Sequence, residues 1–206
     1  MKFFILQFYC FVSGLIFFAD AFSKSSDEKS NILSSKFSTL VGDVELKNTS
    51  KANLNVAGSL IFNALVIKDL ITISGSIKGT NLKCNTLKSS GSTNIDGLEA
   101  QDISISGDFV GKNINVINAK FAGKIKITKG YFNSIDIASE DPIFENTKVD
   151  GDILMKKQSN CKSQILYLKN TTINGNVIFE KEGVIRLSQK SKIIGNVINA
   201  TLELEQ

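Results

Sequence analysis

Gly107 to Gly123 read GDFVGKNINVINAKFAG. Counted from Gly107 as zero, apolar or small residues stand at offsets 2 and 4 (Phe109, Gly111), 7 and 9 (Ile114, Val116) and 12 and 14 (Ala119, Phe121). A spacing of two is the signature of a strand with one buried face, because successive side chains of an extended chain point to opposite sides. The pairs begin five, five and six residues apart, so the chain turns three corners and returns to its starting column.

The same pattern recurs outward in both directions. Glycine followed by a small or polar residue opens units at Gly42, Gly58, Gly75, Gly91, Gly107 and Gly123, at spacings of 16, 17, 16, 16 and 16. In the Gly91 unit the inward slots hold Thr93 and Ile95, Leu98 and Ala100, Ile103 and Ile105. In the Gly75 unit they hold Ile77 and Gly79, Leu82 and Cys84, then Leu87 and polar Ser89. A repeat of this length with period-two pairs predicts stacked coils about 4.8 Å apart, joined by parallel ladders. An amphipathic helix needs spacings of three and four and is excluded. The expected fold is therefore all-β: a single-stranded parallel β-helix (β-solenoid) with three short faces per coil of about 16 residues. Gly, Asn, Lys, Asp and Ser fill the expected corners, residue types suited to turn conformations.

Beyond Gly123 the rhythm loosens. Gly151 opens GDILM, Gly175 opens GNVIF and Gly195 opens GNVIN, at intervals of 28, 24 and 20, so the sequence alone reads the same coil opening with longer corners or an additional side. SEDPIFEN (139–146), with the chain's one proline, and KKQSNCKSQ (156–164) are expected loops. The C-terminal NVINATLELEQ reads as a last strand, with Glu203 and Glu205 set against uncontrolled edge pairing.

The first 21 residues differ in kind. Lys2 precedes the apolar run FFILQFYCFVSGLIFF, and Ala19-Asp20-Ala21 supplies small residues for cleavage, the layout of a signal peptide removed after Ala21. The alternative is a retained anchor, since the apolar run is nearly long enough to span a bilayer. The expected organisation is a signal peptide over 1–21, a polar leader over 22–39, regular coils over 40–137, and irregular coils with loops and a C-terminal strand over 138–206. Export places the chain in a periplasm, on an outer surface or in the medium.

Composition narrows the chemistry. Among 206 residues there is no His, no Trp and a single Arg, Arg186. Without His the usual triads and nearly all catalytic zinc sites are out of reach. Acidic residues are scattered rather than paired, so glycosidase-like chemistry is not expected either. The chain is read as a non-enzyme with no catalytic, cofactor-binding or metal-binding residues, no cofactor and no small-molecule substrate. A net charge of +4, with Lys interleaved among Asp and Glu, describes a solvated surface and no nucleic-acid partner. Cys84 falls in an inward slot as a small buried residue, and no bridge to Cys161 is expected because the two lie coils apart.

GDFVGKNINVINAKFAG and GTNLKCNTL resemble the coils of bactofilins, over about residues 58 to 137. The resemblance implies a three-sided, right-handed parallel β-helix that polymerises end to end without nucleotide. Left-handed hexapeptide acyltransferases are disfavoured, since they use six-residue sides and a His base. The expected role is an exported, non-enzymatic scaffold of the cell envelope or surface, its partners further copies of itself through the solenoid ends, or other envelope components. An adhesin or ligand-binding module using loops 139–146 and 156–164 is the alternative, and a polysaccharide-active enzyme is the least favoured. Phe109→Asp would bury an unpaired charge, so it is expected to abolish cooperative thermal unfolding near the wild-type midpoint; an unchanged midpoint would show that Phe109 does not face inward.

Overall fold

The structure, a computed structural model, describes residues 38–159 and 163–205. The expected signal peptide (1–21), most of the expected leader, Cys10 and Cys161 lie outside the described residues. Of the described residues 79% are in strands and none is helical, and parallel strands stack as a β-solenoid of about 10 turns.

Five long strands follow the coil round its corners: β1 (Ser38–Lys51), β2 (Leu54–Ser90), β3 (Thr93–Ser106), β4 (Phe109–Ala122) and β5 (Ile125–Ala138). Eight shorter ones continue the stack: β6 (Ile143–Glu145), β7 (Lys148–Val149), β8 (Ile153–Met155), β9 (Gln164–Lys169), β10 (Thr172–Ile173), β11 (Val177–Leu187), β12 (Lys192–Ile193) and β13 (Val197–Leu204). Every pairing is parallel and joins one coil to the next, as in Ile77 to Thr93, Thr93 to Phe109 and Phe109 to Ile125.

The inward slots read from the sequence face the core. Phe109, Ile114, Val116, Ala119 and Phe121 are all buried, and their register partners extend them into columns. Cys84 pairs in register with Ala100, Ala100 with Val116 and Val116 with Phe132, one buried column. The polar intruders Ser89 and Thr93 are buried too, and their hydroxyls satisfy each other at 2.9 Å. That pairing removes most of the penalty of placing them in an apolar core.

Each corner solves a different backbone problem. At the first, Gly58, Gly75, Gly91, Gly107 and Gly123 adopt φ between 119° and 136°. A Cβ on any of them would fall on the carbonyl oxygen of the glycine one coil earlier, so the column admits no other residue. At the second, Asn48, Asn81, Asn113, Asn146 and Asn170 stand in the left-handed region with φ from 47° to 58°. Asn tolerates this conformation better than other side chains. At the third, side chains form a ladder along the axis: Asn118 Nδ2 donates to Asp102 Oδ1 (2.9 Å) and Ser134 Oγ to Asn118 Oδ1 (3.0 Å).

Side-chain volume is balanced across neighbouring slots. A Cβ on Gly79 would lie 2.6 Å from the Phe62 ring and one on Gly111 2.7 Å from the Phe109 ring. Inward glycines at 130 and 183 likewise make room for Phe132 and Phe179. The triangular core is filled by a large ring wherever a neighbour gives up its side chain, as close packing requires.

Two expectations for the second half change. Gly151, Gly175 and Gly195 do not continue the Gly123 column: Ile135 pairs with Ile153, which sets Gly151 on Asn133, Gly175 on Gly151 and Gly195 on Gly175, at the third corner. The 28-residue interval from Gly123 is thus ten residues round a coil to Asn133 and an 18-residue coil from there. The first corner passes instead through Glu140, Gln164, Gly183 and Ala200. Nor is 139–146 a loop throughout: Ile143–Glu145 forms β6, paired to β5 and β9, because Phe144 is an inward residue between Ile127 and Leu168 and is fully buried.

Gly111→Ala is expected to lower stability by more than about 1 kcal/mol, the scale of an overpacked core position. Combined with Phe109→Leu it should cost clearly less than the two single losses together in urea unfolding; simple additivity would mean that ring and glycine do not share one space.

Candidate functional site

With no ligand-binding constellation read from the sequence, function has to be sought where coils are interrupted or end. Three places qualify: the corner bearing long loops, a polar cluster on the second face, and the open end of the stack.

Coil length at the first corner rises from 17 residues (Lys126 to Ile143) to 24 (Ile143 to Tyr167). The extra residues fall between β8 and β9; of the expected loop, no strand is assigned over 156–159, residues 160–162 lie outside the described residues, and Gln164 opens β9. The loop base is fastened. Lys156 Nζ lies 3.1 Å from Glu180, and the Lys157 backbone N–H donates to the same carboxylate at 2.9 Å. These bonds, Lys157 first, hold the Glu180 carboxyl below its ordinary pKa. Buried Gln164 braces both irregular segments, its amide donating to Ser139 O (2.7 Å) and Lys156 O (3.0 Å).

On the second face Asp150 gathers three donors from three successive coils: the Tyr131 hydroxyl, Lys148 Nζ at 2.7 Å, and Asn174 Nδ2 at 2.7 Å. Lys148 also stands over the Tyr131 ring, 5.5 Å from its centroid. The Lys148 bond, then the Tyr131 bond, lowers the Asp150 pKa, and the same contacts raise those of Tyr131 and Lys148. Each member is thereby held in the protonation state it has at neutral pH. The cluster works as a staple where coil length changes, and nothing in it is poised to exchange a proton at pH 7. Cys84 is equally unreactive: burial pushes its thiol up to about 12. Among the described residues no three His, Cys, Asp or Glu side chains are grouped to hold a metal ion.

At the C-terminal end β13 pairs with β11 and, among the described residues, with nothing on its other edge. Leu202 and Leu204 continue the buried columns of Ile185 and Leu187, yet they are 51% and 75% exposed because no coil covers them. Glu203, expected to guard this end with free charge, is turned to the side, where Arg186 Nε holds it at 3.0 Å. The same guanidinium donates to the Tyr167 hydroxyl (3.1 Å).

Sequence reasoning overlooked two features. Outward Ile143, Ile165, Tyr167 and Val184 form a half-buried apolar patch on the first face, signalled by the unbroken apolar run ILYL. The Asp150 cluster had no signal beyond the neighbouring Lys148, since Tyr131 and Asn174 lie 19 and 24 residues from Asp150 and reach it only through coil register.

The structure defines the chain by its architecture, a parallel β-solenoid. No family model matches it, and neither does any curated protein or solved structure.

Asp150→Asn is expected to lower the thermal midpoint at pH 7. A carboxyl with a depressed folded pKa stabilises above its ordinary pKa and loses that contribution as pH falls through the folded value. The gap between wild type and variant should therefore begin to close only below about pH 4, near the ordinary Asp value; a gap constant from pH 7 to pH 2 would refute the assignment.

Proposed function

We propose that the chain is an exported, non-enzymatic scaffold of the cell envelope or surface that assembles through the ends of its coil stack, as its resemblance to bactofilin coils also suggests. One observation carries the reading: a strand edge without a partner among the described residues and two exposed residues of core columns, Leu202 and Leu204, occupy the same end. Natural sheets blunt such edges with charge, proline or a covering element. Here Glu203, one of the two carboxylates of the last coil, is paired with Arg186, which lessens the charge that would discourage pairing.

A second reading, a binding module using the corner loop that begins at Lys156, is favoured by the seven-residue lengthening of one coil on an otherwise regular scaffold. Export rests on the signal-like segment 1–21 alone. Sedimentation velocity and negative-stain microscopy of residues 22–206 over a range of concentrations test the scaffold reading. Elongated assemblies that grow with concentration are expected, whereas a monomer at every concentration, with cell or ligand binding lost on deleting 156–163, would transfer the argument to the binding module.

A further inference from the structure

The regular coils carry a feature that neither the loops nor the ends share. On the second face, across the coils of Val66, Lys83, Glu99 and Asn115, runs an open groove of about 430 Å³, within the range of about 300–1,000 Å³ common to ligand clefts. Described coils pair with it on both sides, Ser50 with Val66 and Asn115 with Tyr131, so the groove lies within the stack and owes nothing to its ends.

Its shape follows from what stands at the second corner. Successive coils place there Ala64, Asn81, Gly97 and Asn113, all at positive φ. Gly97 brings no side chain, and its neighbours along the axis lean toward it. Asn81 Oδ1 lies 2.8 Å from where a Gly97 Cβ would be, and Asn113 Nδ2 donates to Asp96 Oδ1 at 2.6 Å. The side-chain amides of Asn81 and Asn115 bond to no described group, so each offers donors and an acceptor to whatever lies in the groove. Between them Lys83 Nζ stands 2.7 Å from Glu99 Oε1, and the two charges cancel. One coil beyond Asn115, Tyr131 ends the groove with a 43% exposed residue whose hydroxyl is fixed on Asp150.

Amides that both donate and accept, no net charge and an aromatic residue at one end suit a chain of hydroxyl groups. We infer that this groove binds an uncharged, extended stretch of polysaccharide laid along the solenoid axis, and does not cleave it. An anionic polymer finds no free cation among these residues, because Lys83 is spent on Glu99. Repeat length favours a glycan over a peptide. A pyranose unit is nearly as long as the coil rise of about 4.8 Å, so successive units meet successive coils, whereas an extended peptide advances about 3.3 Å per residue and falls out of step. The site is complete within one chain, so it serves a monomer as well as an assembly, and its test is independent of self-association.

Isothermal titration calorimetry of the full chain against cellohexaose, N-acetylated chitohexaose and, as the charged control, hexagalacturonate tests the inference. Binding of at least one uncharged hexamer is expected, with an affinity that is the same at low and high salt. Asn115→Ala should weaken it about threefold to tenfold, the worth of one hydrogen bond. Asn81→Ala should do the same, at a corner where Ala64 shows that alanine is accommodated. Lys120→Ala, outward on the third face, should leave the affinity unchanged, and circular dichroism confirms the fold of each variant. Failure to bind either uncharged hexamer overturns the inference, as does a salt-sensitive preference for hexagalacturonate. Binding that survives both asparagine substitutions undiminished overturns it too, since the sugar would then sit elsewhere.

Discussion

Everything in this molecule hangs on how closely one coil's backbone approaches the next at the glycine corner. The carbonyl of each glycine projects along the axis into the place where the following residue's Cβ would be, and the ladder spacing of about 4.8 Å leaves no slack to move it. That contact locks the register, and the register decides which side chains enter the core. A slip of one residue would turn every inward column outward, so Ile, Leu and Phe hold the register as firmly as the glycines do. The Phe and Gly pairs show how far the constraint reaches. Where a ring such as Phe109 or Phe132 enters the core, a neighbouring glycine gives up the side-chain space it fills.

The second half keeps the spacing while abandoning the glycine solution at the first corner. Glu140 and Gln164 take the column over as coils lengthen to 24 residues, and the side-chain amide of Gln164 then supplies the cross-links that tight backbone stacking supplied before. Glycine reappears at the third corner, at Gly151, Gly175 and Gly195. The close-approach site has moved round the coil without interrupting the columns of Val116, Phe132, Val149 and Ile173.

The regular coils are legible in the sequence because strand alternation and coil pitch repeat together, so Phe109 or Ile114 can be assigned inward without knowing any partner. Cys84 is legible for the same reason. Past Gly123 the two signals part. Gly151 has the right local sequence, but its corner depends on pairing between Ile135 and Ile153, which no local pattern encodes. Phe144 was hidden by the turn-rich residues around Pro142, although an isolated Phe flanked by Ile and Glu fits one inward slot. The staple on Asp150 and the exposure of Leu202 and Leu204 belong to register and to position in the stack. Composition carries neither.

A stack whose hydrogen bonds run along its axis also has a mechanical character. Tension applied at the two ends peels the outermost coil from its neighbour a few bonds at a time, instead of shearing a whole ladder at once. Each regular coil of 16 residues that peels away frees about 55 Å of extended chain. The 24-residue coil frees about 80 Å. A chain built this way yields in steps under load, lengthening greatly while its remaining coils keep their core.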